Sequence, residues 1–312
     1  MSRLDRVLRS NLKLRHLQLL VALDEFRHLG RAAEFLSVTQ PAVSKTLAEI
    51  ERMIGLSLFE RSTRGTEPTT YGHSLVRFAR SVLADFERTR DELASVASGA
   101  AGRTSVGAMV VATPVLLTRA VEMLKARAPH TTVLVDEGDL AHLLPKLRLG
   151  ELDLCVGRLE PGYAAPDLET EALYNEPMTV VAAPAHPLAR KTKADWRDIA
   201  RQPCVMPPPY ASLRVKLDQI FLRHGASPAD LIETASFLSL LTFVRQRAAI
   251  GFLARSVARH FEREGLIKIL PLKVPVELPP VGLITVRGRR RAPASESLID
   301  CLRRAARPVE RA

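Results

Sequence analysis

Gln40, Ser44 and Lys45 offer an amide, a hydroxyl and an ammonium within the short run Thr39-Gln-Pro-Ala-Val-Ser-Lys45. Such groups suit the edges of nucleic-acid bases and phosphates. A glutamine amide pairs bidentately with adenine, a serine hydroxyl donates or accepts, and a lysine meets guanine or phosphate. Downstream, Phe59-Glu-Arg-Ser-Thr-Arg-Gly-Thr-Glu-Pro68 has the basic, Gly-containing turn of a hairpin, so Arg61 and Arg64 are candidates for phosphate or minor-groove contact. The bland alternative is that the polar face is simply solvated, as most polar helix faces are.

The elements that must position these groups weigh against that alternative. Arg31–Leu36 reads as a short helix with Ala32, Ala33 and Leu36 on one face, and Ser37-Val38-Thr39 as a turn. Thr39 is placed to cap the next helix, and Pro41 falls in its first turn, where a missing N–H costs nothing. Val43, Leu47, Ile50 and Ile54 follow the spacing of a buried stripe, which turns Gln40, Ser44, Lys45 and Glu49 outward. Leu14, Leu17, Leu20 and Val21 supply a preceding support helix.

From Tyr71 to about Ala97 no proline interrupts, and Leu75, Ala79, Val82, Phe86, Thr89, Leu93 and Val96 alternate four and three steps apart, the seam of a pairing helix. Its alternative is a helix packed on its own domain. Ser98-Gly-Ala-Ala-Gly102 then breaks the helix. Beyond it, strands are expected at Thr104–Met109, Thr132–Asp136, Asp153–Val156, Met178–Ala183, Cys204–Met206, Ile250–Leu253 and Val281–Val286. Helices are expected near Val115–Ala128, Leu140–Leu149, Arg214–His224, Phe237–Arg247 and Ser295–Ala306, which together predict an α/β architecture with mostly parallel sheets.

Gln40-Pro-Ala-Val-Ser-Lys45, followed by Leu58-Phe-Glu-Arg61, Thr69-Thr-Tyr-Gly72 and a long helix, resembles the LysR-type bacterial transcriptional regulators. Within that family the chain is most similar to regulators of the protocatechuate-catabolism or galactose-binding-protein regulator type. The resemblance implies a winged helix-turn-helix DNA-binding domain over 1–70, a linker helix for dimerisation over 71–98, and an effector-binding domain over 99–312. That last domain would be two-lobed and periplasmic-binding-protein-like, with lobe I over about 104–180 and 282–306 and lobe II over about 183–276. Met178–Ala183 would be the outward crossing between lobes, and the return would lie near Pro271–Val286. Implied partners are double-stranded promoter DNA, a small-molecule effector, further copies in a homodimer or homotetramer, and RNA polymerase.

Ligands of two-lobed α/β domains lie between the lobes, at the carboxyl ends of strands. Val111 and Thr113 follow the first expected strand, Asp139 the second and Arg158 the third; Ser212, Ser236 and Phe237 mark helix starts in the other lobe. Many family members carry a hydroxyl early in the first turn, where this chain has Val111, and two glycines where it has Arg247 and Ala249. Arg158 with Ser212 would suit an anion, an aromatic acid or a phosphorylated metabolite, whereas a sugar would use the hydroxyls. The plainer roles for these residues are ordinary caps for Thr113 and Ser212 and an ion pair for Arg158.

Composition limits the rival readings. The formal charge of +11 is not concentrated in the DNA-reading part: residues 1–98 hold 15 Lys and Arg against 12 Asp and Glu, while residues 287–312 hold 8 against 3. The DNA reading therefore rests on the motif. Cys155, Cys204 and Cys301 are too scattered for a disulfide framework or a zinc knuckle, and the eight histidines form no metal-ligand spacing, so neither metal nor cofactor is expected. Arg3, Arg6 and Arg9 precede an apolar patch that His16, Gln18 and Asp24 interrupt, against an export signal, and no apolar run approaches the roughly 20 residues of a membrane span. The expected location is the cytoplasm. No GxSxG, HExxH, Walker loop or GxGxxG is present, which argues against an enzyme. A cysteine-based redox sensor of the same family and a small-molecule-binding protein without DNA activity are the remaining alternatives.

Overall fold

In the computed structural model, residues 7, 11–62, 65–98, 102–209 and 211–310 are described. Three helices open the chain: Leu14–Phe26 (α1), Leu29–Phe35 (α2) and Gln40–Ile54 (α3). Ser37, in the left-handed region at φ 55, closes the turn between α2 and α3, and the Thr39 hydroxyl accepts the Ala42 N–H at 3.4 Å to start α3. Gly55 at φ 84 ends it. A hairpin follows, Phe59–Ser62 (β1) against Gly65–Pro68 (β2), with Ser62 opposite Gly65. Then comes the 29-residue helix Thr70–Ser98 (α4).

The expected apolar stripe is the core of this unit. Val43, Leu47, Ile50 and Ile54 are buried with Leu17, Leu20 and Leu23 of α1 and Ala32 and Ala33 of α2. The long helix differs between its two halves. Val76 and Ala79 are buried against the three-helix core and Val82 packs against it, whereas Phe86 is 47% exposed and Leu93 67%.

Contacts divide the chain into two compact units, 1–102 with 145–152, and 103–144 with 153–312. The second contains two five-stranded sheets. The first sheet has the order β4-β3-β5-β12-β6, from Arg103–Ala108 (β3), Thr132–Glu137 (β4), Leu154–Arg158 (β5), Leu168–Tyr174 (β6) and Val281–Val286 (β12). The second has the order β11-β7-β10-β8-β9, from Met178–Ala182 (β7), Cys204–Met206 (β8), Leu231–Glu233 (β9), Ile250–Ala254 (β10) and Lys268–Lys273 (β11). Helices Thr118–Arg127 (α5) and Pro293–Glu310 (α11) belong to lobe I with the first half of Leu140–Leu149 (α6), whose residues from Pro145 on group with the first unit, and Trp196–Ala200 (α7), Ser212–Arg223 (α8), Phe237–Gln246 (α9) and Arg255–Arg263 (α10) belong to lobe II.

Three expectations need correction here. The sheets are mixed rather than mostly parallel: β3 runs parallel to β4 and β5, but β12 is antiparallel to β5 and β6; β8 is parallel to β9 and β10, but β7 is antiparallel to β10 and β11. A chain that leaves a lobe and later returns brings its returning strand back in the opposite sense. Met178–Ala182 is a strand of the lobe II sheet rather than a crossing strand, so the outward crossing is Asn175-Glu176-Pro177. Strands β6, β9 and β11 had not been expected. β11 carries Pro271 and is tolerated because it lies at a sheet edge, where a missing N–H breaks no ladder.

Candidate nucleic-acid interface and effector cleft

On α3 the buried side and the outward side separate as the spacing requires. Gln40, Pro41, Lys45 and Glu49 are exposed and Ser44 is half-buried, while Val43 and Ile50 are wholly inaccessible. Thr39, also exposed, is committed to the cap. The helix is held rigidly to the hairpin behind it: the Glu51 carboxylate accepts the N–H groups of Leu58 and Phe59 at 2.7 and 3.2 Å. Gly72 is required at the start of α4, since a Cβ there would lie 2.0 Å from Leu58 O. Thr69 joins the same corner, donating to Ser57 O at 2.8 Å and accepting the Gly72 N–H at 3.1 Å.

The hairpin is anchored as a wing. Thr66 N–H donates to Arg27 O at 2.9 Å, and Arg27 pairs with Asp24 at 2.9 Å and with Glu67. Arg61 lies in β1 opposite Thr66, its side chain outside the described residues, and Arg64 at the tip is outside them altogether. His16, 2% exposed, accepts the Lys13 N–H with Nδ1 while Nε2 has no partner, and burial, helped by Arg15, lowers its pKa.

In the second unit β3, β4 and β5 run parallel, so their carboxyl ends share one edge of the lobe I sheet, as those of β8, β9 and β10 share one edge of the lobe II sheet. Val111 is 7% exposed and part of the core, so the departure noted at that turn leaves an apolar wall. Thr113 donates to Met109 O at 3.3 Å, Asp139 caps α6 through the His142 N–H at 2.9 Å, and Ser236 caps α9 through the Ser239 N–H at 3.3 Å. Phe237 packs on Phe261, ring centroids 5.2 Å apart, and on the lobe II core. The hydrogen bonds of Thr113, Asp139 and Ser236 each stay within one lobe. That of Ser212 does not: its hydroxyl donates to Glu160 of lobe I at 3.1 Å.

Arg158 departs most from expectation. It is 7% exposed, and its guanidinium donates to Glu176 O at 2.8 Å and Pro279 O at 2.9 Å. Burial lowers its pKa, opposed by Glu176 and Glu160. Of the five N–H donors of the guanidinium, two are bonded to crossover carbonyls, Nη2 also lies 3.7 Å from Met178 Sδ, and no hydrogen bond joins Arg158 to Ser212 among the described residues. Arg247 pairs with Asp230 at 3.1 Å, at the amino ends of β9 and β10 and so away from the cleft; the following Ala248 sits at φ 52, a conformation that favours glycine.

Residues 14–73 match the bacterial regulatory helix-turn-helix protein, lysR family, and residues 97–307 match the LysR substrate binding domain. The chain belongs to the LysR family of transcriptional regulators. A LysR relative, the HTH-type transcriptional regulator GbpR of Azospirillum brasilense, is 32% identical over 96% of this chain and 88% of its own length. The regulator PcaQ of Agrobacterium fabrum is 31% identical over 89% of each. Among solved structures, CbnR, a LysR family transcriptional regulator, superposes with a TM-score of 0.71 at 20% identity, covering 95% of this chain and all of that one. A full-length OxyR from Pseudomonas aeruginosa gives 0.64 at 26% identity, covering 94% and 95%.

As a LysR regulator the chain combines a DNA-binding domain with an effector-binding domain. Its relatives are transcription regulators rather than enzymes, and no helix among the described residues is long and apolar enough to cross a membrane. The three cysteines are buried and unpaired. Burial, reinforced by nearby carboxylates, pushes the Cys155 and Cys204 thiols up to about 12, which disfavours their thiolates. Sequence reasoning missed Glu160 and Glu176. Glu160 stood two residues from a named arginine and was within reach of the same strand-end argument; Glu176 had no signal, because its role depends on what folds against it.

Proposed function

We propose that this chain regulates metabolic genes by reading a promoter sequence with Gln40, Ser44 and Lys45, with Thr39 and Pro41 shaping the start of the reading helix and Arg61 and Arg64 holding the flanking DNA. The observation that carries the reading is the clean division of α3, with Gln40 and Lys45 exposed opposite a wholly buried Val43 and Ile50. Pairing of two copies through Phe86 and Leu93 places two such helices on one duplex, and pairs of pairs make the tetramer. A small metabolite between the lobes changes subunit packing, hence promoter bending and access of RNA polymerase, in the cytoplasm.

Of the two effector classes, an aromatic acid and a sugar-derived metabolite, the uncharged sugar-derived one suits the groups present better. Arg158 is committed to backbone and Arg214 to Asp218 and Glu233, whereas Glu160 forms no ion pair among the described residues and accepts a hydroxyl. The test has two arms. Gel shifts on DNA flanking the gene should show a specific complex that Gln40→Ala and Ser44→Ala abolish. Calorimetry against a panel of sugars and aromatic acids should show stabilisation by a sugar-derived polyol; a response to aromatic acids alone, hydroxylated or not, overturns that assignment.

A further inference from the structure

Three consecutive residues leave the end of β5 and fasten three different parts of the effector unit. Arg158 Nη2 donates to Glu176 O at 2.8 Å and Nη1 to Pro279 O at 2.9 Å, so one guanidinium spans the outgoing and the returning crossover. The Leu159 N–H donates to Pro280 O at 2.9 Å. Glu160 accepts the Ser212 hydroxyl of lobe II at 3.1 Å, an exposed side-chain contact between lobes beside the buried one of Arg158 with Met178 Sδ at 3.7 Å. The outgoing crossover is tied to lobe II in turn. Glu176, 4% exposed, accepts the Ser256 N–H with its carboxylate at 3.0 Å, and the Arg255 N–H donates to Pro177 O at 2.8 Å.

The chemistry of the two ends differs. Arg158 and Glu176 are both removed from water, where hydrogen bonds to a charged group are strong and an unpaired charge is costly. A planar guanidinium presents several donors in a fixed fork and holds two carbonyls at a set separation, which an ammonium on a flexible stem does not. Glu160 and Ser212 meet in solvent, where the bond is weak and easily exchanged for a ligand.

We propose that residues 158–160 are the switch segment of the effector unit: Arg158 is a clasp that sets the angle between the crossovers, and Glu160–Ser212 is a latch that holds the lobes together until a ligand takes either partner. Glu160 thereby becomes a specificity determinant, since an entering ligand must satisfy its carboxylate or displace it. The ligand half rests on the effector reading above; the clasp and latch do not.

Hydrogen exchange of the full-length protein, without ligand, tests the mechanical part. Arg158→Lys should speed exchange at both crossovers, 174–178 and 274–281, by roughly threefold or more while leaving strands 154–157 and 204–206 as they were. Glu160→Ala and Ser212→Ala should each speed exchange at 211–215 and at the crossovers, and the double variant should do no more than either alone. Exchange rising evenly through both sheets in Arg158→Lys, or loosening of one crossover only, overturns the clasp. Additive effects of the latch variants, or undisturbed crossovers, overturn the latch. Because none of this requires DNA or effector, failure of operator binding leaves these results intact and counts against the regulatory reading alone.

Discussion

The DNA-reading helix and the effector cleft are built by opposite routes. Every group proposed to read bases lies between Thr39 and Lys45, on one helix whose burial alternates with its own period. The cleft draws Glu160 and Ser212 from points 52 residues apart, and Arg158 reaches a carbonyl 121 residues away. A site that one periodic element presents survives small rearrangements elsewhere. A site assembled from strand ends and crossovers changes whenever the lobes do, which suits the part of a regulator that must respond.

The comparison breaks most readily at α3. Leu47→Ala should destabilise the DNA-binding unit by about 2–5 kcal/mol, from lost burial and the cavity left behind, since Leu47 is 1% exposed in its core. Calorimetry should show that unit melting earlier while the effector unit's transition stays in place; a common shift of both would mean the units do not fold separately.

Next in size is the discrimination of operator from other DNA. Gln40→Ala and Ser44→Ala should each lose about 1–3 kcal/mol against the specific site. Lys45→Ala should weaken all DNA binding and reduce the salt slope by about 1. Titrations at several salt concentrations separate the two behaviours, and unchanged discrimination in the Gln40 and Ser44 variants would sink the recognition face.

Assembly gives a third test. Phe86→Asp places a charge at an exposed seam position and should dissociate the oligomer without unfolding it, as read by sedimentation. Val82→Asp should behave differently, because Val82 packs on its own domain and the substitution disturbs that core. Equal outcomes for the two would mean that the seam is not divided at that point.

The smallest effect expected is on pH. Burial holds the His16 pKa below the ordinary 6.5, so folding favours the neutral ring. That contribution is present above pH 6.5 and is lost as pH falls through the depressed folded value. Melting of the DNA-binding unit between pH 7 and pH 5 should therefore decline less steeply in His16→Gln than in the native chain.

How much of the molecule could be read in advance follows the same division. The turn at Ser37, the Thr39 cap and the Val43–Ile54 stripe were legible because capping and helical period act within a few residues. Strand β6 was not: Leu168-Glu-Thr-Glu-Ala-Leu-Tyr174 is made largely of good helix formers and becomes a strand through pairing with β12. Thr113, Asp139 and Ser236 were found at strand and helix ends, yet the structure employs them as local bonds and caps.

What the sequence determined by itself is the outward polar face of α3, its supporting helices and the LysR pattern, all encoded in local spacings along the first 72 residues. What only the tertiary structure decided is the work of its charges. Arg158 looks like a ligand grip at a strand end, and it became a hinge clasp because Glu176 O and Pro279 O, 18 and 121 residues away, reach it first. Periodicity is a property of neighbours in the chain, whereas the partner of a buried charge is whatever the fold brings within about 3 Å.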